Sequence, residues 1–372
     1  MSELPPAVAS VVASSGLEVS EITRLAAQIG RDEGRSNIID GVVAPPGPED
    51  VPALPDDAST RAHLSALGES AVREGRVGLV VLNGGMATRF GGGVKGTVSV
   101  EADKSFLALK LLDALRVARR LNAPPPPVIL MNSRATTSAT RRHLEENDYF
   151  GYPPDQVWMF EQHWAVRFTP DGDVFRDLDG AASFYGPGHG DLVYRLGQSG
   201  ILDRFMAAGG ETLLMSNVDN VTATLRMDLL GWHRARSEWV TVEVVAKNAG
   251  DRGGIPMRVD DHLQVVEAFR VPPDFDQDRV SVFNTNTFWI DVDAVRRPPE
   301  LTWFTVRKQV GERVAVQFER LVGELTAFVP TAFVQVPRDG LMGRFVPVKT
   351  PADLAAGRSA LLAAWRGSEG EE

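Results

Sequence analysis

The feature that most constrains the fold is an alternation of short apolar runs and amphipathic stretches from residue 78 to about residue 235. VGLVVLNGG has the pattern of a buried strand, SFLALKLLDALRVARRL that of an amphipathic helix, and PPVILMNS that of a second strand. Further apolar runs, QVWMFEQH and ETLLMSNVDN, continue the series. Strands joined through helices pair in parallel in right-handed βαβ units. We therefore predict an α/β fold with a mixed, mostly parallel sheet flanked by helices.

The regions on either side of this alternation have different patterns. Near the N-terminus we predict helices over Leu17–Ile29 and Ser59–Glu74, joined by the Pro- and Asp-rich linker VVAPPGPEDVPALPDD, which should run extended over the surface. After residue 235 the runs WVTVEVVAKN and HLQVVEAFRV predict strands that extend the sheet. We divide the chain into an N-terminal helical segment with its linker (1–75), a catalytic domain (76–340) and a C-terminal loop and helix (341–372).

Composition excludes several classes of function. The net charge of −10 makes nucleic acid a poor partner, because the chain gains little from counterion release on a phosphate backbone. The chain has no cysteine, which excludes disulfides, thiolate metal sites and a cysteine nucleophile, and which fits a reducing cytoplasm. No run approaches the roughly 20 apolar residues that span a membrane. We expect a cytoplasmic protein with small-molecule substrates, no nucleic acid and no membrane partner.

A glycine-rich loop, LNGGMATRFGGGVK, follows the first predicted strand of the sheet. Six glycines lie between Gly84 and Gly96, and Arg89 and Lys95 lie among them. Consecutive backbone N–H groups without Cβ atoms can form a cradle for a phosphate or a base edge. A simple glycine-rich turn is the alternative. The dinucleotide-binding and P-loop patterns do not fit, since neither G-x-G-x-x-G nor Gly-Lys-Ser/Thr is present in this loop.

Four polar or glycine-rich clusters follow predicted strands or lie within a late one. They are NGGMATRFGGGVK, EQH, SNVDN and FNTNTFW. Open α/β sheets bind ligands in the crevice at the carboxyl ends of their strands. We therefore expect these clusters to meet there and to form one site.

Six blocks in this order resemble the eukaryotic-type UTP–glucose-1-phosphate uridylyltransferase family. They span residues 78 to about 362 and read LNGGMATRFG…VK, PPVILMNS, GPGHGD, SNVDN, FNTNTFWI and GRFVPVKTPADL. The resemblance implies a Rossmann-like nucleotidyltransferase core. It also implies that the chain makes UDP-glucose and pyrophosphate from UTP and glucose 1-phosphate, with Mg²⁺. In such a transfer the sugar phosphate attacks the α-phosphorus in line, so catalysis depends on positioning and on positive charge.

The resemblance also assigns roles to individual residues. Lys95 would neutralise the triphosphate, and Lys349 would contact the phosphates of both substrates. Arg89 stands where the eukaryotic-type enzymes usually have a small residue, and we expect it to add local positive charge. Gln162 would hydrogen-bond the uracil edge, because an amide offers both a donor and an acceptor. The other expected nucleotide-binding residues are Leu82, Asn83, Gly84, Gly85 and Gly188.

For the sugar phosphate, the resemblance points to amide, carboxylate, imidazole and glycine positions. These are His189, Asn217, Gly254, Glu267, Asn284 and Asn286. Asn284 and Asn286 should share one face of a strand, where unpaired amides would be costly unless a ligand satisfies them. Their alternative role is hydrogen bonding between strands, and that of His189 is purely structural. Asp191 opens a predicted helix and is expected to cap it.

We expect Asp219 to ligate Mg²⁺, since a carboxylate at the end of a strand suits a hard cation that bridges phosphates. An Asx-turn formed by Asn217 or Asp219 is the alternative. Ala87 occupies the place of the family's third loop glycine and should tighten the backbone there. The family's C-terminal β-helix has no counterpart among the recognised blocks, so we expect a monomer.

Three other functions remain open on the sequence. One is transfer to another sugar 1-phosphate, such as N-acetylglucosamine 1-phosphate. Another is catalytically weak binding of a nucleotide sugar. The third is a dehydrogenase, which predicts tight binding of a nicotinamide cofactor and no response to UTP.

Overall fold

The computed structural model describes residues 4–31 and 37–367. Within that part of the chain the α-helices are α1 (Pro6–Ser14), α2 (Val19–Ala26), α3 (Ala58–Arg73), α4 (Phe106–Leu121), α5 (Arg134–Glu146), α6 (Leu192–Gln198), α7 (Ile201–Ala207), α8 (Met227–Arg234), α9 (Val292–Arg296) and α10 (Pro351–Gly367). None of these described helices is long and apolar enough to cross a bilayer.

Strands account for most of the remaining regular structure. They are β1 (Val43–Ala44), β2 (Val77–Leu82), β3 (Ser99–Glu101), β4 (Lys104–Ser105), β5 (Val128–Asn132), β6 (Val157–Glu161), β7 (Ala165–Val166), β8 (Phe184–Tyr185), β9 (Thr212–Asn217), β10 (Val240–Ala246), β11 (Gly254–Val259), β12 (His262–Glu267), β13 (Val282–Asp291), β14 (Phe304–Val310), β15 (Arg313–Glu319) and β16 (Thr331–Gln335).

A seven-stranded mixed sheet forms the centre, in the order β16-β10-β13-β9-β2-β5-β6. The four strands β9, β2, β5 and β6 are parallel, and β13 runs antiparallel to both β9 and β10. The prediction of a mixed, mostly parallel sheet is confirmed. Because the four parallel strands end at one edge, the loops after them converge there.

Buried apolar residues explain why the central strands form. Every residue of β2 and of β5 is buried, as expected for strands covered on both faces by helices. On one face α3 and α8 approach closely through two glycines. A Cβ added at Gly231 would lie 1.8 Å from the carbonyl oxygen of Leu64, and one at Gly68 would lie 2.1 Å from that of Met227.

The N-terminal region is more closely integrated than the sequence predicts. The predicted helices correspond to α2 and α3, but α1 was not anticipated. The linker is not simply extended over the surface. Val51 and Leu54 are buried, β1 pairs with β11, and Ala53 bridges Gln335 beside β16. Apolar residues spaced among the prolines allow the segment to pack, which its Pro-rich composition obscures.

A second hydrophobic core joins α1 and α2 to the hairpin strands β7, β8 and β15. Val12 and Ile22 from the helices pack in it with Val166, Phe168 and Phe318. The N-terminal helices therefore cover the outer side of the segment that follows β6. The three-part division of the chain stays a prediction, and residues beyond Gly367 lie outside the described part.

Candidate active site

Two cavities open where the parallel strands end. The first, here called the glycine-loop cavity, has a volume of about 580 Å³ and is lined by Gly84, Met86, Ser133, Arg134, Ala135, Gln162, Trp164, Arg167, Phe184, Tyr185, Gly186 and Gln317. The second, the asparagine cavity, has a volume of about 260 Å³. Its lining is His189, Asn217, Asp251, Arg252, Gly253, Gly254, Glu267, Phe283, Asn284, Thr285, Asn286, Phe345, Pro347 and Lys349.

Gln162 lies in the glycine-loop cavity with its amide held in one orientation. Its Nε2 donates to the carbonyl of Gly188 at 2.6 Å. Its Oε1 accepts from no described residue. A Cβ at Gly84 would lie 2.6 Å from this oxygen, and one at Gly186 would lie 2.5 Å from it. The two glycines therefore leave space for an amide oxygen that faces the cavity as a free acceptor.

Three glycines of the loop adopt conformations that other residues rarely take. Gly91, Gly92 and Gly93 have φ angles of +85°, +103° and +83°. Ala87 has φ −85°, and its N–H donates to the carbonyl of Gly93 at 2.8 Å. Ala87 therefore adopts a φ that residues other than glycine can take, and its effect on the loop stays a prediction.

Several predicted nucleotide-binding residues do not line the cavity. Leu82 is buried at the end of β2. Asn83 is fully buried, and its Nδ2 donates to Asn132 Oδ1 at 2.7 Å and to Thr140 Oγ1 at 2.9 Å. Gly85 is exposed beside the cavity, where its carbonyl accepts from the N–H of Lys95 at 3.2 Å. Leu82 and Asn83 thus lie buried at the start of the glycine loop and support it.

Arg89 is exposed and makes no hydrogen bond or ion pair with the described residues. Lys95, in contrast, is fixed at the other end of the loop. It begins a short 3-10 turn, Lys95–Thr97, and its Nζ forms an ion pair with Asp219 Oδ2. Each of the two side chains is 21% exposed. The structure therefore brings Lys95 and Asp219 together at the carboxyl ends of β2 and β9, where a ligand can reach both.

Asp219 is the only predicted metal ligand, so its surroundings decide whether Mg²⁺ could bind there. Among the described residues there is no group of three or more His, Asp or Glu side chains that could hold an ion. A cage made only of protein ligands is thus absent from that part of the chain. Mg²⁺ is commonly held by one or two carboxylates together with substrate phosphates and water, and a single carboxylate fits that arrangement.

The asparagine cavity contains all six residues predicted to bind the sugar phosphate, together with Lys349. Asn284 and Asn286 meet there through a bulge rather than through regular alternation. The pairing of β13 with β10 shifts register between Thr287 and Asn284, and Asn286 has φ +56°. The argument from a shared strand face is therefore wrong in its reason, although both side chains reach the cavity.

The asparagines form a network that includes one bond between neighbouring strands, because Asn217 ends β9 and Asn286 lies in β13. Asn284 Oδ1 accepts from the N–H of Asn286 at 3.0 Å, and Asn286 Nδ2 donates to Asn217 Oδ1 at 3.0 Å. This network fixes which amide atoms remain free to face a ligand. The structure gives no Asx-turn bond from the side chain of Asn217 or Asp219.

Glu267 closes the far side of the asparagine cavity. A Cβ at Gly254 would lie 3.0 Å from Glu267 Oε1 and 3.2 Å from Asn284 Nδ2, so glycine brings the backbone close to both polar groups. Burial raises the pKa of Glu267 to about 7, which the positive charge of Arg270 opposes. The carboxyl group therefore changes its charge near neutral pH.

His189 is held as a neutral hydrogen-bond donor. Its Nδ1 accepts from the N–H of Val322 at 3.0 Å, so the neutral ring carries its proton on Nε2. Burial lowers the pKa of His189 to about 4. At pH 7 the residue thus offers an uncharged N–H donor where the asparagine cavity begins. Because Gln162 binds Gly188, the preceding residue, the two cavities are adjacent.

Asp191 does not cap α6, contrary to expectation. It occupies the N-cap position with a helical φ of −60° and makes no side-chain capping bond. Its carboxylate instead accepts from the backbone N–H of His163 at 2.7 Å and faces His163 Nδ1 at 2.6 Å. This buried pair ties the residue after Gln162 to the turn that carries His189.

Lys349 lies exposed at the rim of the asparagine cavity, just before α10. The carboxylate of Asp353 accepts from the backbone N–H groups of Lys349 and Thr350 at 3.0 and 2.8 Å, which fixes the approach to the helix. Arg344 does not join it. Arg344 is 1% exposed and forms a two-armed ion pair with Glu243, so its role is structural.

Sequence reasoning missed some cavity residues. Arg252 lines the asparagine cavity, and its position beside Gly253–Gly254 could have indicated it. Trp164, two residues after Gln162, lines the glycine-loop cavity with the guanidinium of Arg134 over its ring at 4.1 Å. The backbone N–H of Trp164 donates to Ser15 Oγ at 2.9 Å, so the turn after α1 supports this side of the glycine-loop cavity. Such a contact leaves no pattern in the sequence.

Comparisons with known proteins agree with this geometry. A sequence profile of the family described as UTP–glucose-1-phosphate uridylyltransferase matches residues 47–369. The UTP–glucose-1-phosphate uridylyltransferase of Encephalitozoon cuniculi is 28% identical over 75% of this chain and 57% of its own length. This chain spans between 57% and 65% of the length of the first curated relatives that it matches.

Solved structures show the same fold. A UDP-glucose phosphorylase from Trypanosoma brucei superposes with a TM-score of 0.76 at 24% identity, covering 95% of this chain and 78% of its own. The uridine diphosphate N-acetylglucosamine pyrophosphorylase of the same organism gives 0.75 at 19% identity, covering 95% and 79%. With the family profile matching most of the sequence, the chain belongs to the UTP–glucose-1-phosphate uridylyltransferase family.

Proposed function

We propose that this chain transfers the uridylyl group of UTP to glucose 1-phosphate, giving UDP-glucose and pyrophosphate. The observation that carries the proposal is the joining of the two cavities through Gln162, Gly188 and His189. An amide acceptor suited to a base lies on one side of these three residues. A set of amides and a carboxyl group suited to sugar hydroxyls lies on the other.

In this proposal the glycine-loop cavity holds the uracil. Gln162 Oε1 would accept from uracil N3–H, because the bond from its Nε2 to the carbonyl of Gly188 fixes the amide with the oxygen facing the cavity. Cytosine has an acceptor at the same ring position, so two acceptors would face each other. The fixed orientation of this amide thus supports UTP over CTP.

The hexose would occupy the asparagine cavity. The network of Asn217, Asn284 and Asn286 presents amide groups, and Glu267 presents a carboxyl group, as hydrogen-bond partners for ring hydroxyls. Gly254 allows the sugar to approach the backbone. The neutral Nε2–H of His189 would donate to the phosphate or to a hydroxyl near it.

The phosphates would lie between the cavities, within reach of Lys95 and Lys349. A phosphate oxygen of glucose 1-phosphate attacks the α-phosphorus of UTP, and a P–O bond forms as the bond to the β-phosphate bridging oxygen breaks. The electron pair leaves with pyrophosphate. The attacking oxygen is already ionised, so no covalent intermediate or general base is required. The lysines stabilise the charge of both anions.

Asp219 is the residue that would help to hold Mg²⁺, with substrate oxygens completing the coordination. When bound, the ion would neutralise phosphate charge. In the protein alone Lys95 already neutralises Asp219. Binding of a metal–nucleotide pair therefore requires this ion pair to rearrange or to be shared with the phosphates.

A second candidate is transfer to N-acetylglucosamine 1-phosphate. It is favoured by the similarity in fold to the uridine diphosphate N-acetylglucosamine pyrophosphorylase. The two candidates share the base cavity and the phosphate groups. They differ only in what the asparagine cavity must accept at the second carbon of the sugar.

The experiment is a pyrophosphate-release assay with UTP, Mg²⁺ and a panel of sugar 1-phosphates, with the nucleotide-sugar product identified by mass. Release with glucose 1-phosphate at the highest kcat/KM supports the first proposal, and release with N-acetylglucosamine 1-phosphate the second. Binding of a nicotinamide cofactor with no response to UTP would contradict both. Because both cavities are lined by one chain, we also propose that a monomer suffices; light scattering after gel filtration tests this.

A further inference from the structure

A buried lysine outside both cavities is bound to the turn that carries Asp219. Lys110 lies on α4 and is 2% exposed. Its Nζ donates to Ser216 Oγ at 2.8 Å and to the carbonyl oxygens of Asn220 at 2.6 Å and Ala223 at 3.2 Å. All three N–H donors of the ammonium group therefore have acceptors, and all three acceptors belong to one segment.

A second buried cation binds two further carbonyls of the same segment. Arg344 Nη1 donates to the carbonyls of Thr222 at 3.1 Å and Thr224 at 2.9 Å. Between them, Lys110 and Arg344 bind four carbonyl oxygens within residues 220–224. A non-regular segment whose carbonyls are buried must find such donors, because unpaired buried carbonyls are costly.

These contacts connect the turn to both ends of the proposed phosphate site. Asp219, which lies between Ser216 and Asn220, pairs with Lys95 of the glycine loop. Asn220 Nδ2 donates to the carbonyl of Arg344, five residues before Lys349. Ser216 lies next to Asn217, which contacts Asn286 in the asparagine cavity. A shift of the turn would therefore move groups that face each part of the substrates.

Burial of the Lys110 side chain disfavours its charged form. Burial lowers the pKa of Lys110 to about 7, and the nearby carboxylate of Asp113 opposes that shift. Asp113 itself accepts from the backbone N–H of Leu225 at 2.8 Å, at the far end of the same turn. One helix thus supplies both a donor and an acceptor to a single loop. An apolar side chain at position 110 would fill the space but would leave the carbonyls unpaired.

We propose that Lys110 is a positioning residue that holds the Ser216–Ala223 turn, and with it Asp219, in the geometry that uridylyl transfer requires. The inference rests on the proposed function. It assigns no contact between Lys110 and substrate. It predicts that removal of the ammonium group acts on catalysis through Asp219.

The first test is a double-mutant cycle with Lys110→Met and Asp219→Asn in the full chain. We expect Lys110→Met to lower kcat by at least about tenfold, since small displacements of catalytic groups have such effects. The kcat of the double variant should lie within about twofold of the kcat of Asp219→Asn, because the two changes act on one element. Losses that multiply would overturn the proposal, as would a Lys110→Met variant with wild-type kcat.

A matched control separates positioning from loss of stability. Tyr152 is buried and donates to the carbonyl of Pro126 at the other end of β5, away from both cavities. Tyr152→Phe therefore removes one buried hydrogen bond without touching the turn. We expect its kcat to stay within about twofold of wild type when assayed below the melting temperature of each variant. An equal fall in kcat for both variants would count against the proposal.

Hydrogen exchange of the free protein provides a readout that needs no turnover. Amides between Val218 and Leu225 should exchange at least about tenfold faster in Lys110→Met than in Tyr152→Phe. If Lys110→Met does not fold, Ser216→Ala, which removes one acceptor, takes its place in both measurements. If the exchange of these amides is unchanged in Lys110→Met, the proposal that Lys110 holds the turn is overturned. If the wild-type protein releases no pyrophosphate, the proposed function is contradicted. The hydrogen-exchange result then still decides whether Lys110 holds the turn.

Discussion

Lys95 and Asp219 form an ion pair across the end of the sheet, although 124 residues separate them in the sequence. The pair joins the end of the glycine loop to the turn after β9. Neither residue lines either cavity, but Asp219 lies two residues after Asn217 of the asparagine cavity. Gly85, whose carbonyl accepts from the N–H of Lys95, follows Gly84 of the glycine-loop cavity. In the proposed function both groups face phosphates, so the pair should matter more for catalysis than for folding.

Substitution of either partner tests this difference. We expect Lys95→Met and Asp219→Asn each to lower kcat by about tenfold to a hundredfold, through lost charge stabilisation. The free energy of unfolding should change by less than about 1 kcal/mol, because both side chains retain contact with solvent. Steady-state kinetics and thermal unfolding measure the two effects. A variant with wild-type kcat would remove its residue from the proposed site.

Gln162 should decide which base is accepted. Wild-type protein should prefer UTP to CTP by at least about a hundredfold in kcat/KM, because a site with a fixed acceptor rejects a base without the matching donor. In Gln162→Leu we expect the KM for UTP to rise by about tenfold or more and the preference for UTP to shrink. The KM for the sugar phosphate should change little. Equal preference for both nucleotides in the wild type would contradict this assignment.

Gly84→Ala should disturb the base cavity without unfolding the protein. The added Cβ would lie 2.6 Å from Gln162 Oε1, the end of a flexible side chain that can move. We expect the KM for UTP to rise by about tenfold, with a loss of less than about 1 kcal/mol in unfolding free energy. Gly197→Ala in α6 is the control, since a Cβ there meets nothing within 4 Å. Similar kinetics for the two variants would refute the steric argument.

Glu267 should make stability depend on pH. Its pKa is about 7 in the folded protein and 4.5 for an unperturbed glutamate, so the native state binds more protons than the unfolded chain between these pH values. Native stability should therefore fall as pH rises from about 4.5 to about 7. The difference in unfolding free energy between Glu267→Gln and the wild type should shift in favour of the variant by about 1–3 kcal/mol between pH 4.5 and pH 8. Urea unfolding at both pH values measures this, and a difference that does not vary with pH would contradict it.

The central fold could be predicted from the sequence because each parallel strand is a continuous apolar run followed by a polar loop. The rule that ligands bind where such strands end placed Gln162 and Asp219 at the same edge. The six sugar-phosphate residues fell into one cavity. The fold and the position of the site needed only local patterns, whereas the sugar-phosphate residues came from the resemblance to the family.

What could not be predicted depends on long-range packing. Asp191 is a good capping residue by type, but tertiary contact with His163 determines its bonds. The bulge at Asn286 breaks the alternation of side chains that a regular strand would have. Lys110 and Asp113 interrupt an otherwise apolar helix face, and the acceptors of Lys110 lie more than 100 residues away. Local periodicity contains no information on such partners.

The most direct measurement is the rate of pyrophosphate release from UTP and glucose 1-phosphate with Mg²⁺, for the wild type and Lys349→Met side by side. We predict one pyrophosphate for each UDP-glucose formed by the wild type. The variant should show a kcat at least about tenfold lower, which corresponds to about 1.4 kcal/mol in the barrier, with a nearly unchanged Tm. Absence of release by the wild type with glucose 1-phosphate, or a fully active Lys349→Met, would contradict the account.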